Sequence, residues 1–306
     1  MGTLVFSHED FARHVTPPGH PEQVARLMAV RRGLEPLPVQ WRAPPLADDA
    51  EVLRCHPAAY LAKVRRAVPE EGWVALDGDT MLSPGSLDAA LRAVGGICAA
   101  VDAVMAGEAA NAFVAGRPPG HHAETATAMG FFGTVAIAAK RLVDHHGLSR
   151  VAVVDFDVHH GNGTQDLLWD EARVMFASTH QMPLYPGTGS AGERGAHGQI
   201  VNHPLRGGSG SAAMRAAYDG VILPALEAFA PEFLLISAGF DAHEADPLAG
   251  LEWQAEDYAW LTRRLCDLAG RHAFGRIVST LEGGYDLAAL QASVAAHVAV
   301  LEERGR

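Results

Sequence analysis

Residues 150–163 read RVAVVDFDVHHGNG, and this stretch decides the fold. Its first half is a short, β-branched apolar run, the pattern of a buried strand. The absence of polar alternation means that both faces are covered, as in a parallel sheet. Its second half loads the carboxyl end of that strand with polar groups. In extended chain, successive side chains point to opposite faces. Asp155, Asp157 and His159 therefore share one side, and Phe156 and Val158 the other. Two carboxylates and an imidazole converging at a strand end are costly unless a cation neutralises them. An O,O,N donor set of this kind suits Zn²⁺ or another first-row divalent metal. The bland alternative is a solvated acidic loop with a capping aspartate.

Working outward, residues 173–177 (RVMFA), 233–237 (FLLIS) and 276–281 (RIVSTL) carry the same strand signature. Helical stripes lie between them. Val135, Ala138, Ala139, Leu142 and Val143 form one. Met214, Ala217, Tyr218, Val221 and Ala225 form another, with Pro224 as a kink or break. Tyr258, Leu261, Leu265 and Leu268 form a third. Residues 87–105 and 287–301 are Ala-rich and also helical. The Gly- and Pro-rich segment 181–211 reads as a long surface loop. Strands alternating with helices imply an α/β fold, a central mainly parallel sheet with helices on both faces, in one domain over residues 1–306. Ligands in such folds sit beyond the carboxyl ends of the strands.

Three more strand or turn exits carry chemistry. Asp241 follows the apolar strand FLLIS and a glycine, where it is either a helix cap or a third metal ligand. Three protein ligands with open positions make a catalytic site. His121 and His122 follow a rigid Pro-Pro-Gly turn, and a neutral imidazole there can take a proton from water and return it to a leaving group. Asp155 can orient one of the two rings. Tyr285 follows two glycines after the last strand, where its hydroxyl can donate to a developing oxyanion.

Taken in order, PPGHHAE (118–124), VVDFDVHHGNGTQD (153–166), YPGTG (185–189), SAGFDAH (237–243) and LEGGYD (281–286) resemble the motifs of the histone deacetylase family. That family includes acetylpolyamine amidohydrolases and bacterial class II-like deacetylases. The resemblance runs from Gly19-His20-Pro21-Glu22 to the final helix. It implies the arginase/deacetylase fold and a zinc-dependent hydrolase acting on acylated lysines, acetylpolyamines or related linear amides. It implies Asp157, His159 and Asp241 as ligands of one Zn²⁺, and His121 and His122 as the catalytic pair, with His122 the general base and acid. Asp155 matches the partner of His121, and Asn162 the partner of His122. Tyr285 matches the carbonyl-polarising tyrosine. Phe131 and Tyr185 match the aromatic walls of the acyl-lysine channel. Gly130, Gly284 and Asp79 match further substrate contacts. The resemblance also implies a structural K⁺ near Asp155, Asp157, His159, Ser178 and Thr179. The chain departs from the family after Phe131, where it is about two residues shorter than usual.

Composition bounds the alternatives. Among 306 residues, 24 Lys and Arg face 36 Asp and Glu, a net charge of −12. No basic surplus exists to bind nucleic acid. Hydrophobic residues make up 48%, enough to bury a core. Three cysteines against 16 histidines disfavour thiolate zinc clusters and disulfides, and point to a reducing, cytoplasmic setting. No apolar run is long enough for a membrane span. The expected partner is a small-molecule or peptide acyl-amine, and homo-oligomer formation is left open. The charged stretch 22–26 reads as a solvated helix start, Glu244 and Asp246 read as solvated acids, and His145-His146 as a solvated helix end. GTGSAG (187–192) fits GxGxxG formally but opens no helix. A binuclear Mn²⁺ ureohydrolase of the same fold and a catalytically silent acyl-amine binder are the competing functions.

Overall fold

The computed structural model describes residues 2–78, 80–125 and 131–306. Among the described residues ten strands form, in chain order: β1 (Thr3–Phe6), β2 (Gln40–Arg42), β3 (Val74–Ala75), β4 (Met81–Leu82), β5 (Asn111–Val114), β6 (Val151–Asp155), β7 (Val174–Gln181), β8 (Ile200–Leu205), β9 (Phe233–Ala238) and β10 (Ile277–Leu281). Eight build one sheet in the order β2-β1-β5-β10-β9-β6-β7-β8. Every pairing in that sheet is parallel. β3 and β4 pair separately as an antiparallel hairpin.

The helices are α1 (Ala25–Leu34), α2 (Asp49–Val52), α3 (Ala58–Ala67), α4 (Ser86–Met105), α5 (Thr134–Asp144), α6 (Asn162–Leu167), α7 (Ser211–Ala217), α8 (Leu223–Phe229), α9 (Ala255–His272) and α10 (Leu287–Arg304). Two apolar cores result, one on each face of the sheet. Val154, Phe156 and Leu234 pack on one side with Tyr258 and Leu265 of α9 and Leu290 and Val298 of α10. Val151, Val153 and Leu235 pack on the other with Val94 and Ile97 of α4 and Val135 and Leu142 of α5. Because β6 is covered on both faces, it can be apolar throughout. The helix starts are locally encoded. Gln254 and Asp257 form a reciprocal capping box at α9, and Asp286 accepts the Ala289 N–H at 2.8 Å to cap α10. Among the described residues, no helix is long and apolar enough to cross a membrane.

Two expectations change. The segment 181–211 is not one loop: β7 runs to Gln181, and Ile200–Leu205 forms β8. Its sequence, IVNHPL, hides the strand because Asn, His and Pro interrupt it. An edge position tolerates Pro204, whose missing N–H needs no ladder partner. Pro224 neither breaks nor ends its helix. A π-turn at Tyr218–Ile222 joins α7 directly to α8, and the proline falls in the first turn of α8.

Candidate active site

Four neighbouring strands, β5, β10, β9 and β6, deliver the site from their carboxyl ends. β6 runs on through Asp155 to Asp157 and His159, while Phe156 and Val158 turn into the core, as the alternation requires. β9 leads to Asp241. Asp157, His159 and Asp241 are buried, and each brings one donor atom within 4.8 Å of the others. His159 Nδ1 lies 3.1 Å from Asp157 Oδ1 and 3.2 Å from Asp241 Oδ2. Main-chain donors hold the carboxylates: Gly283 N–H to Asp157 Oδ2 at 2.7 Å, and Val158 N–H to Asp241 Oδ1 at 2.9 Å. Both carboxylates lean on bare backbone. A Cβ at Gly239 would lie 2.0 Å from Asp157 Oδ2, and one at Gly283 would lie 1.9 Å from Asp241 Oδ2. Glycine is required there for close approach.

The electrostatics fit a cation. Burial, and then the charge of Asp157, push Asp241 up to about 7. Two carboxylates facing one another in a buried space repel, and a divalent ion relieves the repulsion. The set of two carboxylates and an imidazole is that of a divalent first-row metal site.

The histidine pair lies beside the triad. The ring centroids of His121 and His122 are 4.1 Å apart, and His122 is 6.0 Å from His159. His121 Nδ1 meets Asp155 Oδ2 at 2.9 Å. Burial works against a charged His121, but Asp155, Asp157 and Glu282 outweigh it and hold the ring well above the usual imidazole value. His122 goes the other way: burial, then the charges of His121 and His159, hold it well below that value. Its tautomer follows from a chain of bonds. Asn162 Nδ2 donates to Glu124 Oε1 at 2.8 Å, so Asn162 Oδ1 faces His122 Nδ1, 2.7 Å away, as an acceptor. His122 Nδ1 therefore carries the proton, and Nε2 keeps its lone pair.

A cavity of about 690 Å³ opens over this group. His122, His159, Phe131, Tyr185 and Tyr285 line it, together with Leu184 and Leu248. Phe131 is buried and Tyr185 is 39% exposed, so one wall is fixed and the other faces solvent. Tyr60 Oη–H donates to the Phe131 carbonyl at 2.8 Å, and the Gly133 N–H donates to His56 Nε2 at 2.9 Å. Two side chains at and just before α3 thus support the segment that follows Phe131. Burial holds the Tyr285 hydroxyl well above its usual pKa, so it stays protonated and can donate. Gly284, at φ 121°, turns its carbonyl to Arg26 Nε at 2.7 Å. Asp79 and Gly130 lie outside the described residues. Ser178 Oγ is committed to His180 Nδ1 at 2.9 Å and Thr179 Oγ1 to the Tyr218 hydroxyl at 2.9 Å.

Sequence reasoning missed five residues behind the site. The stretch 22–26 is not a solvated helix start. Glu22 and Arg26 are buried, and Glu22 accepts from Arg26 at 2.9 Å and from Arg117 Nε at 2.5 Å. Burial raises the Glu22 carboxyl, but Arg117 and Arg26 overcome it and hold it well below its usual range. The i,i+4 spacing of Glu22 and Arg26 was the available signal, while Arg117 carried none. Asp246 is also buried, not solvated. Its carboxylate accepts the N–H of Tyr285 at 2.7 Å and of Leu248 at 3.0 Å, tying the tyrosine loop to the loop after Asp241. Glu244 is exposed, as expected. Glu282, inside the motif that supplied Tyr285, is fully buried, and burial pushes it up to about 7.

The fold and site together define a parallel α/β chain with a buried carboxylate–imidazole centre at the carboxyl ends of its strands. Comparison with known proteins places it. The histone deacetylase domain matches residues 20–301, and the chain belongs to the histone deacetylase family. It is 42% identical to the histone deacetylase-like amidohydrolase of Pseudomonas aeruginosa, over 81% of this chain and 66% of that one. It is 39% identical to a probable deacetylase of Archaeoglobus fulgidus, over 94% of this chain and 82% of that one. Among solved structures it resembles the HD domain of HDA15, with a TM-score of 0.91 and 32% identity over 98% of this chain and 90% of that one. Family membership carries a deacetylase or amidohydrolase activity.

Proposed function

We propose that this protein is a zinc-dependent deacetylase, with residues 1–306 acting as one catalytic domain. It releases an acetyl or other acyl group from a lysine side chain, an acetylpolyamine or a related linear amide in the cytoplasm. One observation carries the reading: His122 presents an unprotonated Nε2 beside a triad suited to a divalent metal, in a cavity shared with Tyr285.

Asp157, His159 and Asp241 would hold the Zn²⁺. Bound there, zinc supplies Lewis acidity to the amide carbonyl and acidifies water. His122 Nε2 takes the proton of the attacking water, and Asn162 keeps the ring in the tautomer that can do so. His121, held charged by Asp155, adds a positive charge next to His122 and completes the pair that returns a proton to the departing amine. The Tyr285 hydroxyl donates to the developing oxyanion. Phe131 and Tyr185 flank the acyl-bearing arm of the substrate, and Gly130, Gly284 and Asp79 add contacts along it. The products are a carboxylate and a free amine. The K⁺ proposal for Asp155, Asp157, His159, Ser178 and Thr179 stands on the family resemblance.

A substrate panel tests this. Purified zinc-loaded protein should release acetate from acetyl-lysine peptides, acetylputrescine or acetylspermidine, and kcat/KM ranks them. No release from any acylated amine would refute the hydrolase reading and leave the silent binder. The binuclear ureohydrolase requires further donors. Among the described residues the triad is the one group of three side chains arranged to hold a metal ion.

A further inference from the structure

The residue that follows β10 carries a carboxylate that the reaction above does not use. Glu282 is completely buried and, among the described residues, forms no ion pair. A buried carboxylate without a counter-ion is costly unless its hydrogen bonds are needed. Its bonds go to one place. Oε2 accepts the backbone N–H of Gly120 at 2.7 Å and of His121 at 3.2 Å, and Oε1 lies 3.3 Å from Ser237 Oγ. The main chain of Glu282 is itself clamped. Its N–H donates to the Ala238 carbonyl at 2.9 Å, and its carbonyl accepts from the Arg26 guanidinium at 2.5 Å. The carboxylate is therefore a rigid arm from the sheet to the turn that launches the histidine pair.

The other ties on that turn act on different atoms. Asp155 and Asn162 grip the rings of His121 and His122, and the Thr164 N–H holds the His121 carbonyl at 3.0 Å. Glu282 alone, among the described residues, takes the two peptide N–H groups that precede the paired side chains. With the rings 4.1 Å apart, a shift of this backbone moves both.

We propose that Glu282 is a positioning residue for the catalytic histidines, setting where His121 and His122 stand relative to Asp157, His159 and Asp241. This rests on the hydrolase reading above. It acts by placing an acceptor, a role that an uncharged amide oxygen can also fill. A misplacement of about 1 Å at such a site can cost ~100-fold in rate.

The test compares Glu282→Gln, Glu282→Asp and Glu282→Ala in the zinc-loaded enzyme. Gln keeps an oxygen that can accept both N–H groups and loses the charge. Asp keeps the charge and withdraws it by one methylene. The expected result is kcat down by about 10- to 100-fold in Asp and Ala, with KM and metal content held, and most of kcat recovered in Gln. Should Ala fail to fold, the Gln and Asp pair still decides. Wild-type kcat in Asp, or a loss in Gln as deep as in Ala, overturns the proposal. The His122 Nδ1–H resonance in the NMR spectrum gives a readout independent of turnover. It should move in Asp and Ala but not in Gln, and an unmoved resonance in all three overturns the proposal. An inactive wild type with the resonance moving as expected would instead condemn the hydrolase reading and leave the positioning role intact.

Discussion

Alanine at position 283 puts the geometry of the proposed metal site at risk without replacing any of its ligands. Gly283 is outside the left-handed region, so alanine meets no backbone penalty there. Its methyl carbon would lie 1.9 Å from Asp241 Oδ2 and 2.6 Å from Asp157 Oδ2. The first is about 1.5 Å short of an ordinary contact. Both oxygens belong to buried carboxylates pinned by main-chain donors, so neither can swing clear cheaply. Metal donors tolerate displacements of only about 0.2 Å. We expect zinc affinity to fall by at least ~100-fold, about 2.7 kcal/mol, with activity following it. Competition for Zn²⁺ against a chelating fluorophore measures the affinity, and acetate release measures the activity. Gly270→Ala in α9 is the control, since a Cβ there meets nothing within 4 Å. It should bind zinc normally and gain about 0.5–1 kcal/mol of stability. Wild-type zinc affinity and turnover in Gly283→Ala would show that these carboxylates do not hold the metal.

Three further outcomes follow from the geometry. Tyr285→Phe should lower kcat by about 10²–10³-fold while zinc content stays unchanged; an unaltered kcat removes the oxyanion role. Glu22→Gln leaves two buried guanidinium groups short of a counter-charge, at a cost of about 3–5 kcal/mol, and should lower Tm by roughly 5–8 °C; an unchanged melting curve would mean that the cluster stabilises nothing. His297 is buried between Thr262 Oγ1 at 2.7 Å and Ser279 Oγ at 2.9 Å, and burial drives its pKa down to about 3. The unfolded chain therefore takes up this proton first as pH falls. The advantage of wild type over His297→Asn is complete above pH ~6.5, and it shrinks by about 1.4 kcal/mol per pH unit as pH falls toward the folded value. Denaturant unfolding at pH 7 and pH 5 checks it, and a gap between the two proteins that does not change with pH would show that His297 is not buried neutral.

The strands that announce themselves by apolar runs were legible because they sit in the middle of the sheet, covered on both faces. β1 and β5 are equally buried, but each has only four residues, too few for a pattern. β2 is three exposed residues, and β8 is an edge strand carrying a proline. The candidate site was legible at Asp155, Asp157 and His159 because a single extended segment places them by alternation alone. Asp241, His121, His122 and Tyr285 were legible as strand and turn exits, and the family resemblance supplied their order and roles. What could not be read was the support behind them. Glu22, Arg117 and Asp246 look like surface charges in sequence, because only tertiary packing shows that Glu22 meets arginines, Arg117 meets Glu22 and backbone carbonyls, and Asp246 meets backbone N–H groups. Phe131 was expected as a channel wall, but its support by Tyr60, and that of Gly133 by His56, joins residues 71 and 77 positions apart.

The most direct measurement is acetate release from an acylated amine while chelated, metal-free protein is titrated with Zn²⁺. Activity should rise to a break at one equivalent per chain and should be absent throughout in Asp157→Ala. A break at two equivalents, full activity only with Mn²⁺, or no release at any metal concentration would contradict the account.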